Sequence, residues 1–318
     1  MPGIAVGTWA WGNQFLWGYD PRQDSELKAT FQAAVDRGLT LFDTADSYGT
    51  GRFSGRSEHL LGRFASTLPS EQRNGICLAT KLAPFPWRLG RRGFDRAFAA
   101  SKRRLGGRID RVQLHWSTAR YAPWQERPLL DGLADLVARG EAAELGLSNV
   151  GPQRLRQVQA RLGERGIPIT SLQVQFSLLA PEPMAAGGLA EVCAELGIAL
   201  LAYSPLALGP LARPPGQGRS GLTAGRRLLF DRLGPSLEPL LQEMKLVANT
   251  HQAPLAAVAL NWCRAHGAMP IVGLRRPDHV ETVVSALAWQ LNRPEREALD
   301  RLAMGLPTRM PANPFVSN

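Results

Sequence analysis

The chain uses lysine sparingly, at positions 28, 81, 102 and 245, yet Lys81 ends the apolar run Ile76-Cys77-Leu78-Ala79-Thr80. A buried ammonium without a partner is costly, so a carboxylate is required nearby. Asp43, ending the run Leu39-Thr40-Leu41-Phe42, offers one. Tyr48 follows five residues later, and His115 ends Val112-Gln113-Leu114 in the next apolar run after Lys81. A phenol with a pKa of about 10 is a poor acid at neutral pH. An adjacent ammonium stabilises the phenolate and eases proton donation to a developing alkoxide. Asp43 fixes that ammonium, and a neutral imidazole at His115 hydrogen-bonds and polarises a carbonyl oxygen. Together they suit the addition of hydride to a carbonyl. Taken singly, each has an ordinary structural role: an Asp capping a turn, a Tyr on a loop, a His packed beside Trp116. Four at the same end of successive apolar runs point to a site.

The elements that must position them follow from periodicity. Short apolar runs predict strands at 4–6, 39–43, 76–81, 111–115, 143–148, 171–176, 198–203 and 269–273. Helical patterns between them fall near 25–37, 54–67, 93–105, 124–140, 152–164, 187–196, 253–266 and 277–287. Polar residues recur at the strand ends Asp43, Lys81, His115, Ser148, Gln173 and Tyr203, 25 to 38 residues apart, about the length of one βα unit. Strand-end polar residues in such an alternation predict a (β/α)8 TIM barrel with its site on the C-terminal rim. A doubly wound sheet is disfavoured, because Thr8-Trp9-Ala10-Trp11-Gly12-Asn13 after the first strand is no dinucleotide-binding glycine loop. The 70 residues between Tyr203 and Gly273 exceed one unit. They are expected to hold a long mobile loop at 208–227 and an extra helix at 236–249 after Pro235. A further helix at 294–304 packs outside, and 307–318 forms either a flexible tail or a segment reaching back over the barrel mouth. The whole of 1–318 reads as a single domain, which this length permits for a barrel.

With 44% apolar and 20% charged residues, the composition is that of a globular protein able to build a large core. The net charge of +10 is carried almost wholly by arginines scattered along the chain. Pairs such as Arg226-Arg227 and Arg275-Arg276 lack interleaved aromatics or a recognition-helix pattern, so nucleic acid is not an expected partner. No run of apolar residues is long enough for a membrane span, and no targeting leader is recognisable. Cys77, Cys193 and Cys263 lie far apart in apolar surroundings, predicting neither disulfide nor metal. The expected state is a cytoplasmic monomer acting on a small molecule.

Phe42-Asp43-Thr44-Ala45-Asp46-Ser47-Tyr48-Gly49, Ala79-Thr80-Lys81 and Gln113-Leu114-His115-Trp116 together resemble the aldo-keto reductase superfamily. The resemblance continues through Gly146-Leu147-Ser148-Asn149, Leu172-Gln173-Val174-Gln175-Phe176, Ala202-Tyr203-Ser204-Pro205-Leu206 and Gly273-Leu274-Arg275-Arg276-Pro277. The openings at Gly7 and at Gln113 are most similar to the cyanobacterial and plant branch that includes pyridoxal reductases. The resemblance implies NADPH-dependent reduction of an aldehyde or ketone on an (α/β)8 barrel, with Asp43, Tyr48, Lys81 and His115 as the catalytic tetrad and Tyr48 as the acid. It assigns Ser148, Asn149 and Gln173 to the nicotinamide carboxamide of NADPH or NADP+ and Tyr203 to stacking on the ring. Ser204, Leu206 and Gly209 match the pyrophosphate segment. Arg275 after Gly273, with Arg276 beside it, matches the position that pairs with the 2′-phosphate. Thr8 and Trp9, in the first rim loop, are also expected to bind the cofactor. Where the family commonly has an acidic residue and Asn for adenine, this chain has Thr282 and Val283, and Val283 carries no hydrogen-bonding group.

Trp11, Phe15, Trp17, Phe85, Trp87 and Trp116 are candidates for an aromatic pocket, with Trp11, Tyr48, His115 and Trp116 expected to face substrate. Pyridoxal is the first substrate to consider. Two other functions fit parts of the pattern: a nucleotide-binding regulatory subunit with slow turnover, and a Schiff-base aldolase using Lys81 as nucleophile.

Overall fold

In the computed structural model, which describes residues 3–214, 221–314, 316 and 317, eight parallel strands close into a barrel in sequence order. They are β1 (Ala5–Gly7), β2 (Leu41–Asp43), β3 (Cys77–Leu82), β4 (Arg111–Leu114), β5 (Glu144–Ser148), β6 (Ile169–Gln175), β7 (Ala199–Tyr203) and β8 (Met269–Gly273). β1 closes the ring by pairing with both β2 and β8. All eight strands fall where the apolar runs place them, with ends differing by a residue or two. The predicted barrel is the fold.

The two faces of the strands carry different jobs because side chains alternate along them. Outward residues such as Val6, Phe42, Leu78, Val112, Leu172, Leu200 and Val272 join the main core under the helices. Inward, Ala5, Leu41, Ala79, Leu201 and Ile271 form a small apolar plug. Two residues further along β2 and β3 the same face presents Asp43 and Lys81, so a buried polar layer sits directly above the plug. β2 pairs with β3 through Asp43 and Ala79, and β3 with β4 through Lys81 and Gln113, which sets these side chains at one level of the barrel.

The insertion between β7 and β8 differs from expectation. Helix begins at Ala224 and runs unbroken through position 235 to Thr250, instead of starting after Pro235 at 236. Leu233, Leu237, Leu240, Leu241, Met244, Val247 and Ala248 are all buried along it, and a continuous apolar stripe of this kind outweighs the cost of a helix breaker. The predicted loop is correspondingly shorter. It contains a turn at Pro210–Ala212, and its positions 215–220 lie outside the described residues. The last unit ends in helix Pro277–Val284 followed by a 3-10 turn at Ser285–Ala288, and helix Arg293–Gly305 packs on the exterior.

Of the two readings of the C-terminal segment, the described residues show the one that returns over the barrel mouth. The Met310 amide donates to the Leu179 carbonyl at 2.8 Å, and the Ser317 hydroxyl accepts from the Gly151 amide at 3.4 Å. Residues 315 and 318 of the segment lie outside the described residues. Among the described residues no helix is long and apolar enough to cross a membrane, and Cys77, Cys193 and Cys263 are free.

Candidate active site

A cavity of about 1150 Å³ opens at the C-terminal rim, and Asp43, Tyr48, Lys81 and His115 all line it. Asp43 and Lys81 lie within β2 and β3, His115 is the first residue beyond β4, and Tyr48 sits in the loop after β2. That loop is tied down across the rim: the Asp46 amide donates to the Lys81 carbonyl at 3.0 Å, and the Gly55 amide to the Tyr48 carbonyl at 2.9 Å. Its tight course depends on Gly49 at φ +110°, where a Cβ would lie 1.9 Å from the Phe53 carbonyl oxygen. Asp46 clamps the other side, accepting from the Ala83 amide at 3.2 Å and pairing with Arg88 at 2.5 Å.

Lys81 is 1% exposed. Its ammonium donates to one oxygen of Asp43 and, at 2.9 Å, to the Thr44 carbonyl. It lies 5.0 Å from the centroid of the Tyr48 ring. The other Asp43 oxygen accepts from the amides of Gln113 and Gln173, both at 3.0 Å. Burial opposes the charge on Lys81, but Asp43 and Tyr48 outweigh it and hold the ammonium above the usual lysine range. Burial also holds the Tyr48 phenol above its ordinary value, with Asp43 pushing the same way and Lys81 opposing. The net direction for Tyr48 is therefore upward, although the ammonium alone would lower it; the resting phenol is protonated. Burial, with the charges of Lys81 and Arg88, keeps the His115 imidazole well below its usual value, hence neutral. The His115 and Tyr48 rings meet edge to face with centroids 5.7 Å apart.

The residues expected to hold the cofactor divide into three groups. Ser148, Gln173, Tyr203, Ser204, Leu206, Gly209, Gly273, Arg275, Arg276 and Trp9 line the cavity. Gln173 spends its amide nitrogen on Asp43 and leaves its oxygen without a hydrogen-bond partner among the described residues. Asn149 also lines the cavity, but its side chain is engaged within the protein: its amide donates to the His115 carbonyl and Ser148 hydroxyl, while its oxygen accepts from Tyr203 and Asn313. Thr8 is the correction. It is fully buried, donates to the Asp43 carbonyl at 3.1 Å and lies 2.7 Å from the Ser57 hydroxyl, supporting β2 from behind the cavity.

The segment after β7 is shaped for close approach. Ser204, Ala207 and Leu208 adopt left-handed backbone conformations without being glycine, and Gly209 stands at φ +128°. Such a run persists only where its surroundings enforce it. A Cβ on Gly209 would lie 2.5 Å from the Arg226 guanidinium. Arg226 was dispersed charge in the sequence, but here it is 7% exposed in the first turn of the long helix and donates to the Leu208 carbonyl at 3.0 Å. The signal that could have found it was the short Arg226-Arg227 cluster following a phosphate-like loop. Arg226 and Arg275 lie over the Trp17 ring, at 4.6 and 5.2 Å from its centroid. Neither has a carboxylate within ion-pair distance among the described residues. Burial, with Arg275 and Arg213 nearby, pulls Arg226 down to about 10; burial and Arg276 lower Arg275. A buried and a half-buried guanidinium stacked on one indole, with no carboxylate partner among the described residues, are suited to meeting a polyanion. Arg276 is instead paired with Asp278 at 2.9 Å on the surface.

Together, the two unpaired guanidiniums, the left-handed segment that Gly209 keeps open and the free Gln173 oxygen fit a phosphorylated nicotinamide nucleotide. At the adenine end, the Thr282 hydroxyl donates to the Asp278 carbonyl at 3.1 Å and Val283 is buried, so neither presents a free donor.

Of the aromatic candidates, Trp11 is not a pocket residue. It is fully buried, donates to the Leu274 carbonyl at 2.8 Å and packs on Phe64 at 5.8 Å. Trp116, 5.1 Å from His115, and Trp9, 6.4 Å from Tyr48, form the walls instead. Phe15 is 81% exposed, and Phe85 stacks on Trp87 outside the cavity lining.

The model of the aldo/keto reductase family matches residues 3–303. The chain is 44% identical over 320 residues to the chloroplastic pyridoxal reductase of Arabidopsis thaliana, covering 98% of this chain and 86% of the relative. An aldo/keto reductase from Klebsiella pneumoniae, solved with NADP and acetate, superposes with a TM-score of 0.73 at 26% identity, covering 100% of this chain and 95% of the other. Another, from the same organism and in complex with NADPH, has a TM-score of 0.72 at 27% identity, covering 98% and 95%.

Proposed function

We infer that this chain, which belongs to the aldo/keto reductase family, reduces the aldehyde of pyridoxal or of a similar planar aromatic compound to the alcohol. Its class of reaction is NADPH-dependent carbonyl reduction. NADPH, when bound, supplies the hydride. The single observation that carries the assignment of roles is the buried contact of Lys81 with Asp43 on one side and the Tyr48 ring on the other.

The residues then act as follows. The His115 imidazole, neutral at working pH, orients the carbonyl oxygen by hydrogen bonding. Tyr48 delivers its phenolic proton to that oxygen as negative charge develops there, and the Lys81 ammonium stabilises the phenolate left behind. Asp43 keeps Lys81 charged and in place. Ser148 and the free oxygen of Gln173 are positioned to hold the carboxamide, Tyr203 to stack on the ring, and Arg226 and Arg275 to hold the phosphates. Trp9 and Trp116 wall the space beside Tyr48 and His115, which supports a flat ring as substrate. The same geometry weakens the aldolase reading, because an amine held as an ammonium by Asp43 and Thr44 is a poor nucleophile. The three free cysteines suit a reducing compartment, and monomeric action needs no residue beyond those in this chain.

The experiment is NADPH oxidation with a panel of aldehydes including pyridoxal, run on the wild type and on Tyr48→Phe. Turnover of pyridoxal by the wild type and its loss in the variant are expected. Tight NADPH binding with no aldehyde consumed would instead favour a regulatory subunit.

A further inference from the structure

Ser47 stands immediately before the proposed proton donor, and its hydroxyl lies 3.2 Å from Nδ1 of His115. Nothing in the reaction chemistry requires a serine there. Its hydroxyl has no other hydrogen-bond partner among the described residues, and it lines the same cavity as the imidazole. Nε2 of His115, by contrast, has no hydrogen-bond partner among the described residues, so it is the nitrogen left to meet a substrate.

A neutral imidazole carries one proton, and which nitrogen holds it is decided by the hydrogen bond at the other. To donate to a carbonyl oxygen, His115 must hold the proton on Nε2, and Nδ1 must then accept. The Ser47 hydroxyl, which can donate or accept, lies within reach of Nδ1 and is the donor in that tautomer. If the proton sat on Nδ1 instead, the serine oxygen would accept it and Nε2 would present a lone pair, repelling the oxygen it should bind. We propose that Ser47 is a positioning residue that holds His115 as the Nε2–H tautomer, so that the imidazole can donate to the substrate carbonyl.

The turn that carries Ser47 makes this contact durable. The Asp46 amide and carboxylate bind β3 and Arg88, and the Tyr48 amide donates to the Ala45 carbonyl at 3.1 Å, so Ser47 is fixed from both neighbours. The same clamp fixes Tyr48. One short turn thus sets both the proton donor and the tautomer of its partner.

The inference rests on the carbonyl-reductase reading for its purpose, but its test does not. Histidine labelled with 15N, with the His115 signals identified through His115→Gln, reports the tautomer directly from the shifts of the two ring nitrogens. The wild type is expected to show His115 as the Nε2–H form. Ser47→Ala, close in size and away from the core, is expected to show a mixture with Nδ1–H, and Ser47→Thr, which keeps the hydroxyl, the wild-type form. In parallel, kcat/KM for aldehyde is expected to fall by roughly fivefold to tenfold in Ser47→Ala, with NADPH affinity unchanged and Ser47→Thr close to wild type. A wild type in the Nδ1–H form, or an Ser47→Ala protein that keeps the Nε2–H form as completely as wild type, overturns the proposal. Wild-type protein that consumes no aldehyde overturns the functional reading instead, and leaves the tautomer result standing.

Discussion

The Lys81 ammonium sits 5.0 Å from the centre of the Tyr48 ring while its hydrogen bonds go to Asp43 and the Thr44 carbonyl. The cation is thus anchored by groups of the fold itself, and it acts on the phenol through its charge and a side-chain hydrogen bond. This arrangement keeps Lys81 from acting as a nucleophile and makes its value to Tyr48 greatest when the phenol has lost its proton.

Replacing the donor tests that division. Tyr48→Phe is expected to lower kcat by roughly 10²- to 10⁴-fold, the usual range for a general acid, with NADPH affinity by fluorescence titration within a factor of about two of wild type, because no cofactor-holding group is removed. A kcat close to wild type would remove Tyr48 from the chemistry.

Breaking the ion pair beneath it should cost the fold more than removing both partners. Lys81→Met leaves the Asp43 carboxylate buried and uncompensated, a change that costs about 3–5 kcal/mol in comparable cases. The double variant Lys81→Met with Asp43→Leu is expected to regain much of that stability in urea unfolding and none of the activity. Additive losses in the double variant would contradict the coupling.

The pH dependence follows from His115. Its folded pKa is depressed by burial and by Lys81 and Arg88, so the imidazole stays neutral as pH falls through its ordinary range. The kcat/KM for reduction should show no break near pH 6.5. Because the unfolded chain takes up that proton and the folded one does not, the stability His115 contributes is present above the unfolded value and declines as pH falls below it. A kinetic break near 6.5 that disappears in His115→Gln would contradict the depressed value.

The two arginines on Trp17 should separate the phosphates. Arg275→Ala is expected to raise the Kd for NADPH by roughly 10- to 100-fold, the size of a lost charge-assisted contact, with a much smaller effect on NADH. Arg226→Ala, beside the left-handed segment around Gly209, should weaken both nucleotides alike. Equal behaviour of the two variants toward NADPH and NADH would show that Arg275 does not read the 2′-phosphate.

Gly49→Ala should damage the turn that carries Tyr48. The conformation at φ +110° costs a side chain about 1–3 kcal/mol, and the new Cβ would also overlap the Phe53 carbonyl. A lowered melting temperature together with lowered kcat is expected; a variant as stable and active as wild type would show the turn to be adaptable.

Much of this was legible along the chain because strands declare themselves locally. A residue's direction in a strand follows from its parity, so a polar residue ending an apolar run must face the barrel mouth. Asp43, Lys81, His115, Gln173 and Tyr203 could all be placed that way, and with them the fold. The sequence by itself therefore determined the barrel, its working end and the composition of its polar layer. Loop side chains have no such parity. Trp9, Trp11 and Trp17 are indistinguishable in a linear reading, and only the distant Leu274 carbonyl, which takes the Trp11 indole, decides that Trp11 is core while the other two face the cavity. The same holds for Asn149, whose amide oxygen is bound by Tyr203 and by Asn313 from the far end of the chain, and for Arg226, which a helix starting well before its expected start after Pro235 carries to the rim. Tertiary structure alone decided these because each depends on contacts between segments far apart in sequence, and the energy of burying a long apolar stripe or pairing a buried polar group overrides the local preferences that a sequence displays.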